Sequence, residues 1–206
     1  MDKTKVLVVE DQAMPRQLFE MLISDREEYE LLYSIESASV ANIYCDRYDI
    51  DLIVMDVVMG DGSNGLDAAE RIKASHPDIK IIIVTSMPEV SYIEKAKAIG
   101  VDSFWYKAGD TRDILDIMDK TMAGQHVYPD STPVVDLGSI TSDKLTSAEI
   151  SVLRELTKGG SNKEIADALS ISETTVRSHI SNMLAETGFA NRTELAIKAR
   201  VEGLVV

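Results

Sequence analysis

Val6-Leu7-Val8-Val9 is an unbroken apolar run that stops on two adjacent acids, Glu10 and Asp11. A strand wetted on one face alternates apolar with polar residues; a continuous run belongs to a strand covered on both faces. Leu52-Ile53-Val54-Met55 and Ile81-Ile82-Ile83-Val84 repeat the pattern, and Tyr29–Ile35 and Asp102–Tyr106 carry weaker versions of it. Helical stretches lie between them, at about Ala13–Ser24, Ser39–Arg47, Asn64–Ser75, Glu89–Ile99 and Thr111–Met122. Five strands alternating with helices predict an α/β fold whose five-stranded parallel sheet is doubly wound, with helices on both faces. Sheets of this kind place their ligands at the carboxyl ends of the strands.

Polar chemistry is found where each buried run stops. The first ends at Glu10-Asp11, the third at Asp56, the fourth at Thr85-Ser86 and the fifth at Lys107. A parallel sheet would gather these residues at one edge. Carboxylates brought together there repel one another and call for a cation. An oxygen-only set suits Mg²⁺, which keeps several waters and takes few protein carboxylates. A hydroxyl and an ammonium beside them suit a phosphoryl group, one by donating a hydrogen bond and the other by offsetting charge.

On these residues, positions 1–123 resemble a response-regulator receiver domain, whose fold is flavodoxin-like. The resemblance implies that Glu10 and Asp11 are the metal-binding acidic pair and that Asp56 is the phosphoacceptor, a carboxylate nucleophile. It implies that Val58 lends a backbone carbonyl to the Mg²⁺, that Thr85 is the switch hydroxyl, and that Lys107 contacts the phosphoryl group. Phe104, three residues before Lys107, takes the switch-aromatic position. In that family the hydroxyl moves toward the phosphoryl group and the aromatic turns inward behind it, so added charge repacks one face of the domain. The expected phosphodonor is a sensor histidine kinase.

This chain departs from the pattern at three places. The family often has Pro four residues after the acceptor, and here it is Gly60, in a loop Gly60-Asp61-Gly62-Ser63-Asn64-Gly65 that reads one residue long. Three glycines predict a more mobile loop. The small residue after the switch hydroxyl is Ser86. Lys107 precedes Ala108 where Pro is common, and the family's cis peptide would cost several kcal/mol without proline. No reacting group is lost; the expected consequence is for phosphoryl lifetime.

Residues 124–143 lose periodicity and contain Pro129, Pro133 and Gly138, the composition of a linker. From 144 to 206 the chain reads as an all-α domain of four helices. Thr146 and Glu149 have capping-box spacing, Gly159-Gly160 stops that helix, Ser161 and Ser172 can cap the next two, and Gly188 ends the third. A fourth runs over about Arg192–Val201. Ile165, Ala166, Leu169, Val176, Ile180 and Leu184 have the spacing of a core face.

The stretch Leu145–Ile197 resembles the helix-turn-helix DNA-binding domain of the LuxR and NarL/FixJ regulators, with its best match over Gly160–Ala166 and Leu169–Ile180. The resemblance makes the helix after Ser172 the recognition helix, entering the major groove of double-stranded DNA. Thr174, Arg177, Ser178 and Ser181 would then face bases, with Arg177 suited to a guanine edge. Lys163, Thr175 and His179 match backbone-contacting positions. The family pattern has more lysine late in this helix than Ser181, Ala185 and Thr187 supply. Fewer cations predict weak monomer affinity and a shallow salt slope, which a homodimer on paired half-sites would remedy. Leu195, Ile197 and Val201 of the last helix are candidates for the dimer contact, or for closing the domain core.

Charge agrees with this division. Residues 1–128 carry 13 basic and 24 acidic side chains, whereas 143–206 carry 8 and 9, so a nearly neutral C-terminal part sits within a chain of net charge −14. No run approaches the roughly 18 apolar residues that span a bilayer. The opening Met1-Asp2-Lys3-Thr4-Lys5 leads into a run too short and a sequel too acidic for a signal peptide, so the expected compartment is the cytoplasm. A single Cys45 excludes an intrachain disulfide and reads as helix packing. An aspartyl-phosphate phosphatase of the haloacid-dehalogenase type would need a second Asp two residues after the nucleophile as general acid, where this chain has Val58, so no enzyme is expected. A helical domain that binds protein instead of DNA is the other alternative, and Arg177 decides between them.

Overall fold

The structure is a computed structural model and describes residues 3–107 and 113–205, with the side chain of Val90 left aside. The chain forms two compact units, residues 3–86 with 91–131, and residues 87–90 with 132–205. Each is described by itself.

The first unit holds five strands, β1 (Thr4–Val9), β2 (Tyr29–Ile35), β3 (Leu52–Asp56), β4 (Lys80–Thr85) and β5 (Ser103–Tyr106). Their order in the sheet is β2-β1-β3-β4-β5, and every pairing is parallel. The helices α1 (Ala13–Ser24), α2 (Ala41–Arg47), α3 (Gly65–Ser75), α4 (Val90–Ile99) and α5 (Asp113–Met122) alternate with the strands, and a short 3-10 turn, Ala38–Val40, leads into α2. Thr111, where the last of these helices was expected to begin, and the Lys107–Ala108 bond lie outside the described residues.

The continuous apolar runs are fully buried, as strands covered on both faces must be. Val6–Val9, Leu52–Met55 and Ile81–Val84 are all inaccessible to solvent. Alternate residues of these strands pack with Phe19 and Ile23 of α1 and Ile114, Ile117 and Met118 of α5 in one cluster. Burying one such aliphatic side chain stabilises the fold by about 1.5–3 kcal/mol. Cys45 is buried in α2, and that burial pushes its thiol up to about 11, so it packs as a small apolar group and is not a reactive thiolate.

The segment expected to be a linker, 124–143, carries hydrogen-bonded structure. Val127 accepts from the Phe104 amide (2.8 Å) and donates to Ser103 Oγ (3.1 Å), so the chain runs on beside β5. Tyr128 donates its hydroxyl to the Val101 carbonyl at 2.7 Å. Farther on, β6 (Asp136–Leu137) and β7 (Ile140–Thr141) form an antiparallel hairpin in the second unit. Composition suggested a linker because proline and glycine break periodicity. It could not show that the outer edge of β5 offers partners to whatever chain passes it.

The second unit packs α6 (Ser147–Thr157), α7 (Asn162–Leu169), α8 (Glu173–Thr187) and α9 (Arg192–Val201) around Leu153, Ile165, Val176, Met183 and Leu195. Thr146 and Glu149 close a full capping box at α6, Ser161 and Glu164 close another at α7, and Ser172 Oγ accepts from the Thr175 amide at 3.0 Å to cap α8. Gly188 ends α8 in the left-handed region at φ 76°. Thr146→Ala is expected to cost about 1 kcal/mol. Hydrogen exchange of the α6 amides should read this as about five-fold less protection.

Candidate functional site

The sheet brings four of the expected residues to one edge. Glu10 and Asp11 follow β1, Asp56 is the last residue of β3, and Lys107 follows β5. Glu10, Asp11 and Asp56 can each offer a carboxylate oxygen within 4.8 Å of the others. Lys107 Nζ lies 2.5 Å from Glu10 Oε2 and 3.0 Å from Asp56 Oδ2, so one ammonium serves two buried acids. Thr85 ends β4, is buried, and takes the Lys107 amide on its carbonyl at 2.8 Å. The register explains this gathering, because neighbouring parallel strands that end level deliver their last residues to one rim.

The electrostatics are those of acids kept in a dry site. Burial pushes the Asp56 carboxyl up, against the pull of Lys107. Burial raises Glu10 as well, opposed by its bond to Lys107 and reinforced by Asp56. Three acids and one base leave negative charge in excess, which fits a divalent cation. The Asp11 side chain points the same way, since its Oδ1 is buried with no hydrogen-bond partner among the described residues. A buried carboxylate oxygen without a donor is costly unless something else satisfies it. Hard oxygen donors fit Mg²⁺.

Arg16, which sequence reasoning passed over, organises the acidic pair. Its Nη1 donates to the carbonyls of Glu10 (3.0 Å) and Asp11 (3.1 Å), and its Nη2 pairs with Glu36 at 2.8 Å. The guanidinium fork holds the turn after β1 by its main chain and leaves both carboxylates to face the site. Only a contact across the turn reveals this role; in the sequence Arg16 is one more helix charge.

Val58 is half-buried, and its main chain forms an antiparallel bridge with Asn64. Phe104 is buried on the sheet. Its ring meets Tyr106 edge-on at 5.1 Å and stacks with Tyr128 at 6.4 Å, and Lys97 Nζ sits 5.1 Å from the centre of the Tyr128 ring. Tyr128 lies in the segment read as linker, so its place against Phe104 was not legible.

In the second unit α7 and α8 are joined through Ser170, which adopts the left-handed conformation at φ 55°. Lys163, Thr174, Thr175, Arg177, Ser178 and Ser181 are all exposed, and His179 is half-buried. Val176, Ile180 and Met183 point the other way into the core. Thr175 Oγ1 is within 2.8 Å of Ser172 Oγ, so its hydroxyl also takes part in the cap. Of the three residues considered for dimer contact, Leu195 is buried in the core, whereas Ile197 and Val201 are exposed.

An acid-and-lysine rim on a doubly wound sheet, carried in one chain with a capped helix-turn-helix, defines a signalling regulator built from a receiver and a DNA-binding module. The model of the response regulator receiver domain matches residues 6–119, and that of bacterial regulatory proteins of the luxR family matches residues 143–199. The chain therefore belongs to the response regulators that carry a LuxR-type DNA-binding domain. It is similar to the response regulator protein VraR of Staphylococcus aureus (strain NCTC 8325 / PS 47) and of Staphylococcus epidermidis (strain ATCC 12228 / FDA PCI 1200). Each is 32% identical over 206 residues, with 98% of both chains covered. Among solved structures, that of two RcsB dimers bound to two parallel DNAs matches with a TM-score of 0.65 at 18% identity, over 97% of this chain and 98% of that one. The RcsB response regulator of Salmonella typhimurium matches with a TM-score of 0.60 at 18% identity, over 98% and 100%. At such identity the likeness is one of fold. No described helix is long and apolar enough to cross a membrane.

Proposed function

We propose that Asp56 accepts a phosphoryl group from a sensor histidine kinase and that this modification switches dimerisation and promoter binding in the cytoplasm. The observation that carries the reading is Lys107, whose ammonium lies between Glu10 and Asp56 at 2.5 and 3.0 Å. Asp56 Oδ2 is the attacking oxygen, and its Oδ1 accepts the Val57 amide at 2.7 Å, which fixes the plane of the carboxylate. In this reading Lys107 takes a phosphoryl oxygen and the Thr85 hydroxyl donates to another. Glu10, Asp11, Asp56 and the Val58 carbonyl would hold Mg²⁺, which supplies countercharge to the transferring group. Phe104 answers Thr85 by repacking, and Tyr128 stacked on it carries that change into the segment leaving the receiver. We assign the receiver to residues 1–123, the connecting segment to 124–143 and the DNA-binding domain to 144–206. The chain acts as an acceptor and not as a turnover enzyme.

In the DNA-binding domain, Thr174, Arg177, Ser178 and Ser181 read bases, and Lys163, Thr175 and His179 hold phosphates. The exposed Ile197 and Val201 of α9 are offered to a second copy on paired half-sites. The test is Mg²⁺-dependent labelling by a small phosphodonor, followed by sizing and binding to a two-half-site duplex on the same sample. Phosphorylation is expected to tighten binding. Arg177→Ala is expected to weaken it about ten-fold or more, the worth of one bidentate guanine contact. Lys163→Ala should lower the salt slope by about 1 with little loss of sequence preference. Equal binding by wild type and Arg177→Ala would favour a protein partner for this domain.

A further inference from the structure

The position where the family often has proline touches the metal-binding pair. The Gly60 amide donates to Asp11 Oδ2 at 2.9 Å. A Cβ built on Gly60 would lie 2.9 Å from that same oxygen, so the approach is too close for any side chain unless Asp11 moves. Proline would fail for a second reason, because it has no amide hydrogen to give. One oxygen of Asp11 is thus held by the main chain of the loop, while the other, Oδ1, is buried without a partner among the described residues.

The loop that delivers this amide is tied down, although its glycines suggested mobility. Asp61 Oδ1 accepts from the Ser63 amide (2.9 Å) and hydroxyl (2.6 Å), and Asp61 Oδ2 accepts from Ser37 Oγ, just before the 3-10 turn that follows β2. Ser63 Oγ in turn accepts the Ala38 amide at 3.1 Å. These bonds hold the Asp61 carboxyl down at about 2. Gly62 adopts φ 83° and donates to the Met59 carbonyl at 3.0 Å, closing a turn that leaves the Gly60 amide directed at Asp11.

We propose that Gly60 is a positioning residue for the divalent cation. Its amide fixes Asp11 Oδ2 so that Oδ1 is presented to the metal, and the clasp of Asp61 on Ser37 and Ser63 holds the amide there. The inference rests on the reading of Asp11 as a metal ligand. A donor that orients a ligating carboxylate typically changes metal affinity by about 10-fold or more when it is lost.

The test uses the full chain, with free Mn²⁺ followed by electron paramagnetic resonance as the probe and Mg²⁺ as competitor. Gly60→Pro is expected to bind Mn²⁺ about ten-fold more weakly than wild type. Asp61→Ala, which leaves Gly60 in place and loosens its anchor, should weaken binding in the same direction. Phosphodonor labelling of both variants should need more Mg²⁺ yet reach the wild-type rate at saturation, a split that general damage to the fold would not produce. Asp11→Asn separates the two ideas. If it binds Mn²⁺ as wild type does, the metal reading falls and this inference with it. If Asp11→Asn is weakened while Gly60→Pro and Asp61→Ala match wild type within about two-fold, the metal reading stands and the role of Gly60 is overturned. Should circular dichroism show Gly60→Pro unfolded, the Asp61→Ala result decides alone.

Discussion

Asp56→Asn should take up no phosphate from a small phosphodonor, and at neutral pH it should melt above the wild type. The first follows because an amide lacks the nucleophilic carboxylate oxygen, and the second because the charge that is removed is buried. Burial pushes the Asp56 carboxyl up, so the native state holds this proton more tightly than the unfolded chain does. As pH rises from the ordinary carboxylate range through the raised native value, the unfolded chain loses its proton first and the native state loses stability. Above that window the full cost of an ionised Asp56 beside Glu10 and Asp11 is present; below about pH 4 it is gone. Asparagine has nearly the same shape and no charge. Lys107 keeps its 2.5 Å bond to Glu10 in the variant, so the ammonium is not stranded. A gain of 1 kcal/mol would lift the midpoint of a domain this size by about 4 °C. The lift should shrink as pH falls, and millimolar Mg²⁺ should raise wild type more than the variant, because a ligand stabilises the state that binds it. Thermal melts at pH 7 and pH 4 check the sign. A variant that melts below wild type at pH 7 would mean that the attraction of Lys107 outweighs the burial of Asp56.

Much of this site is legible in the sequence, and the reason is the parallel sheet. Residues that end buried runs in a doubly wound fold meet by topology, so Glu10, Asp11, Asp56, Thr85 and Lys107 could be placed on one edge from hydropathy alone. The caps at Thr146, Ser161 and Ser172 were legible for a similar reason: a hydrogen bond spanning three residues leaves its mark in local spacing. What stayed hidden depends on contacts between distant parts of the chain. Arg16 clamping the turn after β1, Val127 and Tyr128 running beside β5, and Asp61 tied to Ser37 each join segments whose proximity no local pattern announces. The exposed face of α9 was half legible. Ile197 and Val201 do face solvent, but Leu195, given the same candidacy, is needed by the core.

Gly65 shows how a residue can be noticed for the wrong reason, and Gly65→Ala is expected to cost the receiver more than any surface change considered above. In the sequence Gly65 is one of three loop glycines, which suggests freedom of motion. In the fold it is buried at the first turn of α3, and its amide donates to the Val57 carbonyl at 2.8 Å. A Cβ there would stand 1.9 Å from the carbonyl oxygen of Asp56, 2.9 Å from its carbonyl carbon and 3.0 Å from Met55 Cγ. The nearest two are main-chain atoms of a central strand and cannot swing aside as the end of a side chain can. Either α3 withdraws from the sheet, opening space around Leu66 and Ala69, or the end of β3 moves and carries Asp56 away from Lys107. Overpacking in a core that can yield costs about 1–3 kcal/mol, and against rigid backbone the loss should exceed that, enough to leave much of the receiver unfolded at 37 °C. Urea unfolding followed by circular dichroism checks the magnitude. Phosphodonor labelling of whatever fraction stays folded tells which of the two gives way: normal labelling means that α3 moved, and lost labelling means that Asp56 did. A variant with the stability and the labelling rate of wild type would show that α3 does not press on β3 this closely. The account of Gly65 as a contact point between helix and strand would then fail.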